Sequence, residues 1–248
     1  MGKLDGKIAI VTGGSRNIGQ EICVLLASEG ATVNIFDVGS TEETLERIKA
    51  IGGKAESYVV NVANSSEVNA VVEEIRNKYG RIDILVNNAA VLTVHENLLT
   101  VTDEIWEREI AINLTGTFYC CRAVAAGMIE QKYGKIINIS SLGGDTGRLN
   151  ASAAYSSSKG GVAALSRSMA KSIAKYGINV NTVCPGLIAT DIVKNYSPEQ
   201  MEKLLQEVPY TRQGVPTDVA NAVLFLASSD SDYVNGARLQ VNGGSWMG

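Results

Sequence analysis

Tyr155 and Lys159 stand four residues apart in the stretch YSSSK, a spacing that sets both side chains on one face of a helix. A free phenol, with a pKa near 10, is a poor base at neutral pH, and a neighbouring ammonium favours its ionised form. The pair is thus a minimal device for moving a proton to or from an alcohol oxygen. Tyr-x-x-x-Lys alone recurs by chance, so its meaning depends on what accompanies it.

The stretch TGGSRNIG, Thr12 to Gly19, follows an apolar run and has the form of a glycine-rich turn that lets a backbone approach a phosphate at a helix N-terminus. It fits T-G-x-x-x-G-x-G except that Asn17 occupies a glycine position. Asn is the side chain that most readily enters the left-handed region, so the backbone shape is expected to survive. Its amide is expected either to crowd a cofactor or to hydrogen-bond to it. Asp37 closes the next apolar run, 18 residues after Gly19, where an acidic side chain bonds the adenine-ribose hydroxyls of NAD and repels the 2′-phosphate of NADP. Arg16, inside the turn, is the residue that would instead favour that phosphate, or else pair with Asp37 or lie in solvent. NAD is therefore expected, with NADP the second option. A bound cationic nicotinamide would also help to stabilise a phenolate at Tyr155, which needs roughly 4 kcal/mol for a shift of about 3 units.

These residues require a scaffold, and the chain alternates short apolar runs with helical periodicity from end to end. KIAIVTGG, ATVNIFDV, AESYVVNV, RIDILVNNAA, GKIINISS, INVNTVCPG and ARLQVNGG read as strands. Between them lie helices from Ile18, over TEETLERIKAIGG with a Thr-x-x-Thr start, over SSEVNAVVEEIRNKYG, from Asp103 to Gln131, from Ala153 to Tyr176 and over PTDVANAVLFLAS. Continuous Ile-Leu-Val character, as in RIDILVN, suits parallel strands buried on both faces. The expected fold is α/β, one doubly wound Rossmann-type domain over residues 1–248 with about seven parallel strands and helices on both faces. Residues 187–212 break the repeat beyond a strand's carboxyl end, the place for a lid over the ligand.

Composition removes several alternatives. A net charge of −4 with scattered basic residues offers no stripe for a nucleic acid. No apolar run is long enough for a membrane span and the first residues lack the order of a secretory signal, so a soluble, cytoplasmic protein is expected. Cys23, Cys120, Cys121 and Cys184 lack metal or redox spacing and read as buried thiols. His95 is the single histidine, so neither a Ser-His-Asp triad nor a histidine metal site can be built, and no metal is expected.

Taken with NNAA at 87–90, Asn113 in INLTGTF, INISS at 137–141, CPGLIATD at 184–191 and VNGG at 241–244, the chain resembles the short-chain dehydrogenase/reductase family over nearly its whole length. The resemblance implies an NAD(P)-dependent oxidoreductase that interconverts a secondary alcohol and a ketone. It makes Tyr155 the acid/base, Lys159 its electrostatic partner and a ligand of the nicotinamide ribose, and Ser141, in preference to Ser140, the hydrogen-bonding partner of the substrate oxygen. Asn113 would hold a relay water. For the cofactor it implies Gly13, Ser15, Arg16, Asn17, Ile18 and Gly19 at the turn, Asp37 at the ribose, and Asn61 and Val62 at the adenine. Asn87 and Ala89 would lie along the crevice, with Pro185, Gly186, Ile188 and Thr190 at the nicotinamide. Asn61 stands where many relatives carry Asp, and Ala90 where they usually carry Gly.

Pocket candidates are residues 91–96, including His95, residues 142–152, including Arg148 and Asn150, and the lid from Leu187 to Tyr196. The simpler reading, and the preferred one, is a solvated loop arginine for Arg148 and a surface or hydrogen-bonded loop histidine for His95. A small secondary alcohol or ketone is the expected substrate. A reductase of acyl-carrier-protein substrates is the alternative: FLASSDSDYVNGARLQVNGG closely resembles that group, and Lys132 supplies one of two expected basic positions while Tyr176 fills the other. A dinucleotide-sensing protein without catalysis is the alternative of a different class, and it has no need of Asn113, Ser141, Tyr155 and Lys159 together. A purely structural Rossmann domain would leave Tyr155 and Lys159 to coincidence. The apolar surfaces CCRAVAAGM and GGVAALSRSMA suggest, by resemblance, a homotetramer.

Overall fold

The seven apolar runs form seven parallel strands in one sheet, seen in a computed structural model that describes residues 2–94, 97–147, 151–191 and 196–248. They are β1 (Ile8–Thr12), β2 (Thr32–Asp37), β3 (Lys54–Val59), β4 (Ile84–Asn87), β5 (Gly134–Ile139), β6 (Ile178–Pro185) and β7 (Arg238–Val241). Their spatial order is β3-β2-β1-β4-β5-β6-β7. The direction of winding reverses between β1 and β4, and a crevice must open there at the carboxyl ends of the strands.

The connecting helices are α1 (Asn17–Ser28), α2 (Glu42–Ala50), α3 (Ser65–Tyr79), α4 (Asp103–Ile110), α5 (Gly116–Gln131), α6 (Gly143–Thr146), α7 (Ala153–Ile173), α8 (Pro198–Gln206) and α9 (Pro216–Ala227). Strand alternation divides the core in two. Ala9, Val11, Val33 and Ile35 pack toward Ile22, Leu26, Val219 and Leu226 of α1 and α9. Ile8, Ile10, Phe36 and Leu85 pack the other way, onto Val68, Ile75, Val124 and Met128 of α3 and α5. Both faces are covered, which is why the strands read as continuous apolar runs rather than alternating ones.

Two local details differ from simple expectation. Thr41 precedes α2 but makes no side-chain cap, and Thr44 turns inward to donate to the Gly14 carbonyl at 2.9 Å, tying α2 to the glycine turn. The long helical stretch is interrupted at Ala111–Thr115 by a wide π-type turn that contains Asn113. Such widened turns often mark functional positions, because the extra residue re-aims its neighbours.

The insert after β6 is pinned at both ends. Ile188 bridges to Gly214, Ala189 N–H donates to the Gly214 carbonyl at 2.8 Å, and Tyr210 N–H donates to Gly243 at 3.1 Å. Ser197 and Gln200 form a capping box that starts α8. Among the described residues no helix is long and apolar enough to cross a membrane.

Candidate active site

A cleft of about 400 Å³ lies at the carboxyl end of the sheet, across the point where the winding reverses. The turn between β1 and α1 forms one wall. Gly13 has a φ of 67°, and a Cβ there would come within 2.7 Å of the Ala89 Cα; a Cβ at Gly19 would overlap the Gly13 carbonyl oxygen. Asn17 has a φ of 50°, so it takes the left-handed backbone expected of it. The start of α1 has no capping side chain and no acidic residue in its first turn. Its N–H groups and partial positive charge therefore suit an anion such as a pyrophosphate.

Asn17 Nδ2 donates to Asp191 Oδ2 at 2.9 Å, joining the turn to the segment after β6. Asp37, at the end of β2, accepts from the backbone N–H of Ser15 at 3.0 Å and of Gly39 at 2.9 Å. Its carboxylate is thereby held at the cleft edge beside the turn. Arg16 is exposed and makes no ion pair with Asp37. Ser15, Arg16, Ile18, Asn61, Val62, Ala89, Pro185, Gly186, Ile188 and Thr190 all line the cleft.

Asn87 is the exception among the expected cofactor residues. It is buried behind the wall, where Nδ2 donates to Asn138 Oδ1 at 2.8 Å, and the residue on the cleft is Asn88. Adjacent residues at a strand end point in opposite directions, so a shift of one position changes the side. Asn88 Nδ2 donates to the Gly13 carbonyl at 2.9 Å and bonds Thr12 O at 3.2 Å, bracing the glycine turn from below. Thr12 Oγ1 accepts from the N–H groups of Asn88 and Ala89, both at 3.0 Å. Asp191, in the motif CPGLIATD, also lines the cleft, and Arg108 and Ile112 are further lining residues that the spacing of motifs did not single out.

Ser141, Tyr155 and Lys159 line the same cleft. The hydroxyls of the adjacent serines differ in use. Ser140 donates to the Lys159 carbonyl at 2.7 Å, whereas Ser141 Oγ accepts from Gly143 N–H at 3.1 Å and the residue lines the cleft. Lys159 is 3% exposed; its Nζ donates to the Ile139 carbonyl at 2.8 Å and lies 5.9 Å from the Tyr155 ring centroid. Burial pulls its pKa down from 10.5 to about 8.

Asn113 is completely buried and does not itself line the cleft. Oδ1 accepts from Val91 N–H at 2.8 Å, and Nδ2 donates to Val91 O at 2.9 Å and Ser158 Oγ at 3.1 Å. Both amide protons are therefore engaged in bracing, and the side chain joins α7 to the segment after β4.

His95, Arg148, Asn150 and residues 192–195 of the expected lid lie outside the described residues. Among the described residues no His, Cys, Asp and Glu side chains gather as a metal site. All four cysteines are buried, and burial pushes Cys121 up to about 12, so none presents a thiolate near neutrality.

Residues 13–245 match the family model described as enoyl-(acyl carrier protein) reductase. A 3-oxoacyl-[acyl-carrier-protein] reductase, FabG, of Haemophilus influenzae is 40% identical, over 98% of this chain and 100% of its own length. FabG of Vibrio cholerae is also 40% identical, over 98% of this chain and 99% of its own length. A solved structure from Burkholderia xenovorans, assigned to the short-chain dehydrogenases/reductases, superposes with a TM-score of 0.92 at 33% identity, covering 99% of this chain and 98% of that one. With the glycine turn, the reversal of winding and the Ser141, Tyr155 and Lys159 cluster in one cleft, the chain belongs to the short-chain dehydrogenase/reductase family, whose members use nicotinamide cofactors.

Proposed function

We propose that the protein is a ketoreductase that interconverts a ketone and a secondary alcohol, prefers NAD(H), and takes 3-oxoacyl thioesters as its substrate class. The observation that carries the reaction type is the convergence of Ser141, Tyr155 and Lys159 on the same cleft as the glycine turn. The preference for NAD(H) rests on Asp37, whose fixed carboxylate would meet a 2′-phosphate with like charge. The names of the relatives move the substrate expectation from a small alcohol to a 3-oxoacyl group carried on an acyl carrier protein.

The nicotinamide, when bound, supplies or accepts the hydride. In the reducing direction the Tyr155 phenol gives its proton to the carbonyl oxygen, and Ser141 donates a hydrogen bond to the same oxygen as negative charge develops on it. In the oxidising direction Tyr155 receives the alcohol proton. Lys159, when protonated, stabilises the tyrosinate and offers N–H donors to a ribose. Its low pKa follows from burial, with no carboxylate partner among the described residues, a cost that fits a charge used in the reaction. Asn113 contributes through its brace, with a relay water in its neighbourhood part of the same reading. A homotetramer and a cytoplasmic location complete the proposal; exposed Phe118 lies on α5, the helix that also carries CCRAVAAGM.

The test follows NADH and NADPH consumption with acetoacetyl-CoA, a 3-oxoacyl acyl carrier protein and a panel of small ketones. Turnover of the thioesters with NADH, lost in Tyr155→Phe while NADH still binds, is the expected result. Near-normal turnover by Tyr155→Phe would overturn the mechanism. Turnover of small ketones alone would return the substrate to the simpler class.

A further inference from the structure

Helix α4 and the π-type turn after it carry two fully buried polar side chains one turn apart, Glu109 and Asn113. Asn113 belongs to the brace already described. No Lys or Arg among the described residues pairs with Glu109. A buried carboxylate persists only where its oxygens are well bonded. Here Oε1 accepts from Thr93 N–H at 2.6 Å, and Oε2 accepts from the Ser152 hydroxyl.

Ser152 is the N-cap of α7, and its Oγ accepts from the N–H of Tyr155 at 2.9 Å. Asn113 makes the matching connection from the other side: it donates to Ser158 Oγ, whose hydroxyl donates to the Tyr155 carbonyl at 2.7 Å. Both backbone polar groups of Tyr155 are thus held by serines, and each serine is held by one of these two side chains. The same two side chains grip the segment after β4, Asn113 at Val91 and Glu109 at Thr93. The match is geometric. Val91 and Thr93 lie two residues apart and Asn113 and Glu109 about one turn apart, and each side chain meets its own position on the segment.

We propose that Glu109 is a positioning residue for the reaction, setting the depth of Tyr155 in the cleft through Ser152; this rests on Tyr155 being the acid/base. Its negative charge at the N-terminus of the 21-residue α7 also favours the helix that carries Tyr155 and Lys159. A glutamine has one acceptor oxygen and an NH₂ group, so either Thr93 N–H or the Ser152 hydroxyl loses its acceptor in Glu109→Gln.

The experiment measures kcat, KM for acetoacetyl-CoA, cofactor Kd by nicotinamide fluorescence, Tm, and amide hydrogen exchange in the first turn of α7. Wild type is compared with Glu109→Gln, Ser152→Ala, the double variant, Tyr155→Phe and the core control Ile75→Val. We expect Glu109→Gln and Ser152→Ala each to lower kcat at least tenfold with cofactor Kd within twofold of wild type. The double variant should be no worse than the poorer single one, and exchange at the Tyr155 amide should rise at least tenfold in Glu109→Gln. Ile75→Val should lose Tm without losing kcat. Wild-type kcat and exchange in Glu109→Gln would overturn the proposal, as would a kcat loss that Ile75→Val reproduces at equal Tm. If Glu109→Gln fails to fold, Ser152→Ala carries the same test. An active Tyr155→Phe would overturn the acid/base reading itself, whereas an inactive Tyr155→Phe beside a fully active Glu109→Gln would overturn only the positioning role.

Discussion

Asn17 Nδ2 donates to Asp191 Oδ2 at 2.9 Å, so the residue that replaces a glycine in the phosphate turn reaches the segment following β6. Two walls of the cofactor cleft are thereby tied together by one side chain. A glycine would satisfy the left-handed backbone at position 17 equally well but could not make this bond. Asn17→Gly is expected to release NADH about three- to tenfold faster, with stability within about 1 kcal/mol of wild type because one hydrogen bond is exchanged for an easier backbone conformation. Stopped-flow nicotinamide fluorescence checks this, and an unchanged release rate would show that the bond does not retain the cofactor.

Asp37 is held by two backbone N–H groups and, among the described residues, no Lys or Arg pairs with it, so its carboxylate faces whatever occupies this end of the cleft. Asp37→Ala is expected to narrow the kcat/KM preference for NADH over NADPH at least tenfold, equivalent to about 1.4 kcal/mol. Steady-state kinetics with both cofactors is the check. An unchanged ratio would pass the discrimination to Arg16 or to another group.

Gly19 lies where the first turn of α1 passes the Gly13 carbonyl, and a Cβ there would overlap that oxygen and crowd the Asn88 amide. Gly19→Ala must therefore move the helix away from the turn. Loss of at least tenfold in cofactor affinity is expected, together with a lower Tm from overpacking of about 1–3 kcal/mol. Binding titration and thermal unfolding of the variant provide the measurement, and wild-type affinity would mean that the turn adapts without cost.

Lys159 links the site to pH. Its pKa falls from 10.5 to about 8 on burial, so between those values the unfolded chain binds a proton that the folded protein has released. Stability therefore rises with pH across this window. Relative to Lys159→Met, the cofactor-free wild type should gain about 3 kcal/mol between pH 8 and pH 10.5, with little relative change below pH 7. Urea unfolding of both proteins over this range measures the difference. Parallel curves would show that Lys159 keeps an ordinary pKa in the folded state.

Much of the architecture was legible in the chain because it depends on local periodicity. Seven apolar runs separated by helical patterns gave seven strands, and their doubly apolar character foretold a parallel sheet covered on both faces. The glycine turn, Asp37 and the Tyr155 and Lys159 pair were visible for the same reason, since each is a short motif whose geometry follows from its own spacing. The conformation of Asn17 also belongs here, because its left-handed backbone is a property of the residue type.

Which side chain faces which neighbour across the fold was decided only by tertiary structure. Asn87 and Asn88 are identical letters, and strand-end alternation alone sends one toward Asn138 and the other toward Gly13. Ser140 and Ser141 part in the same way, one bonded to the Lys159 carbonyl and the other presented to the cleft. No motif or spacing marks Glu109; its burial against Thr93 and Ser152 exists only because α4 packs between the segment after β4 and the start of α7. The sequence by itself determined the elements and the reactive groups they carry, since these follow from backbone propensity and local spacing. Their pairing across separations of 22 to 174 residues followed from packing, which no local pattern encodes.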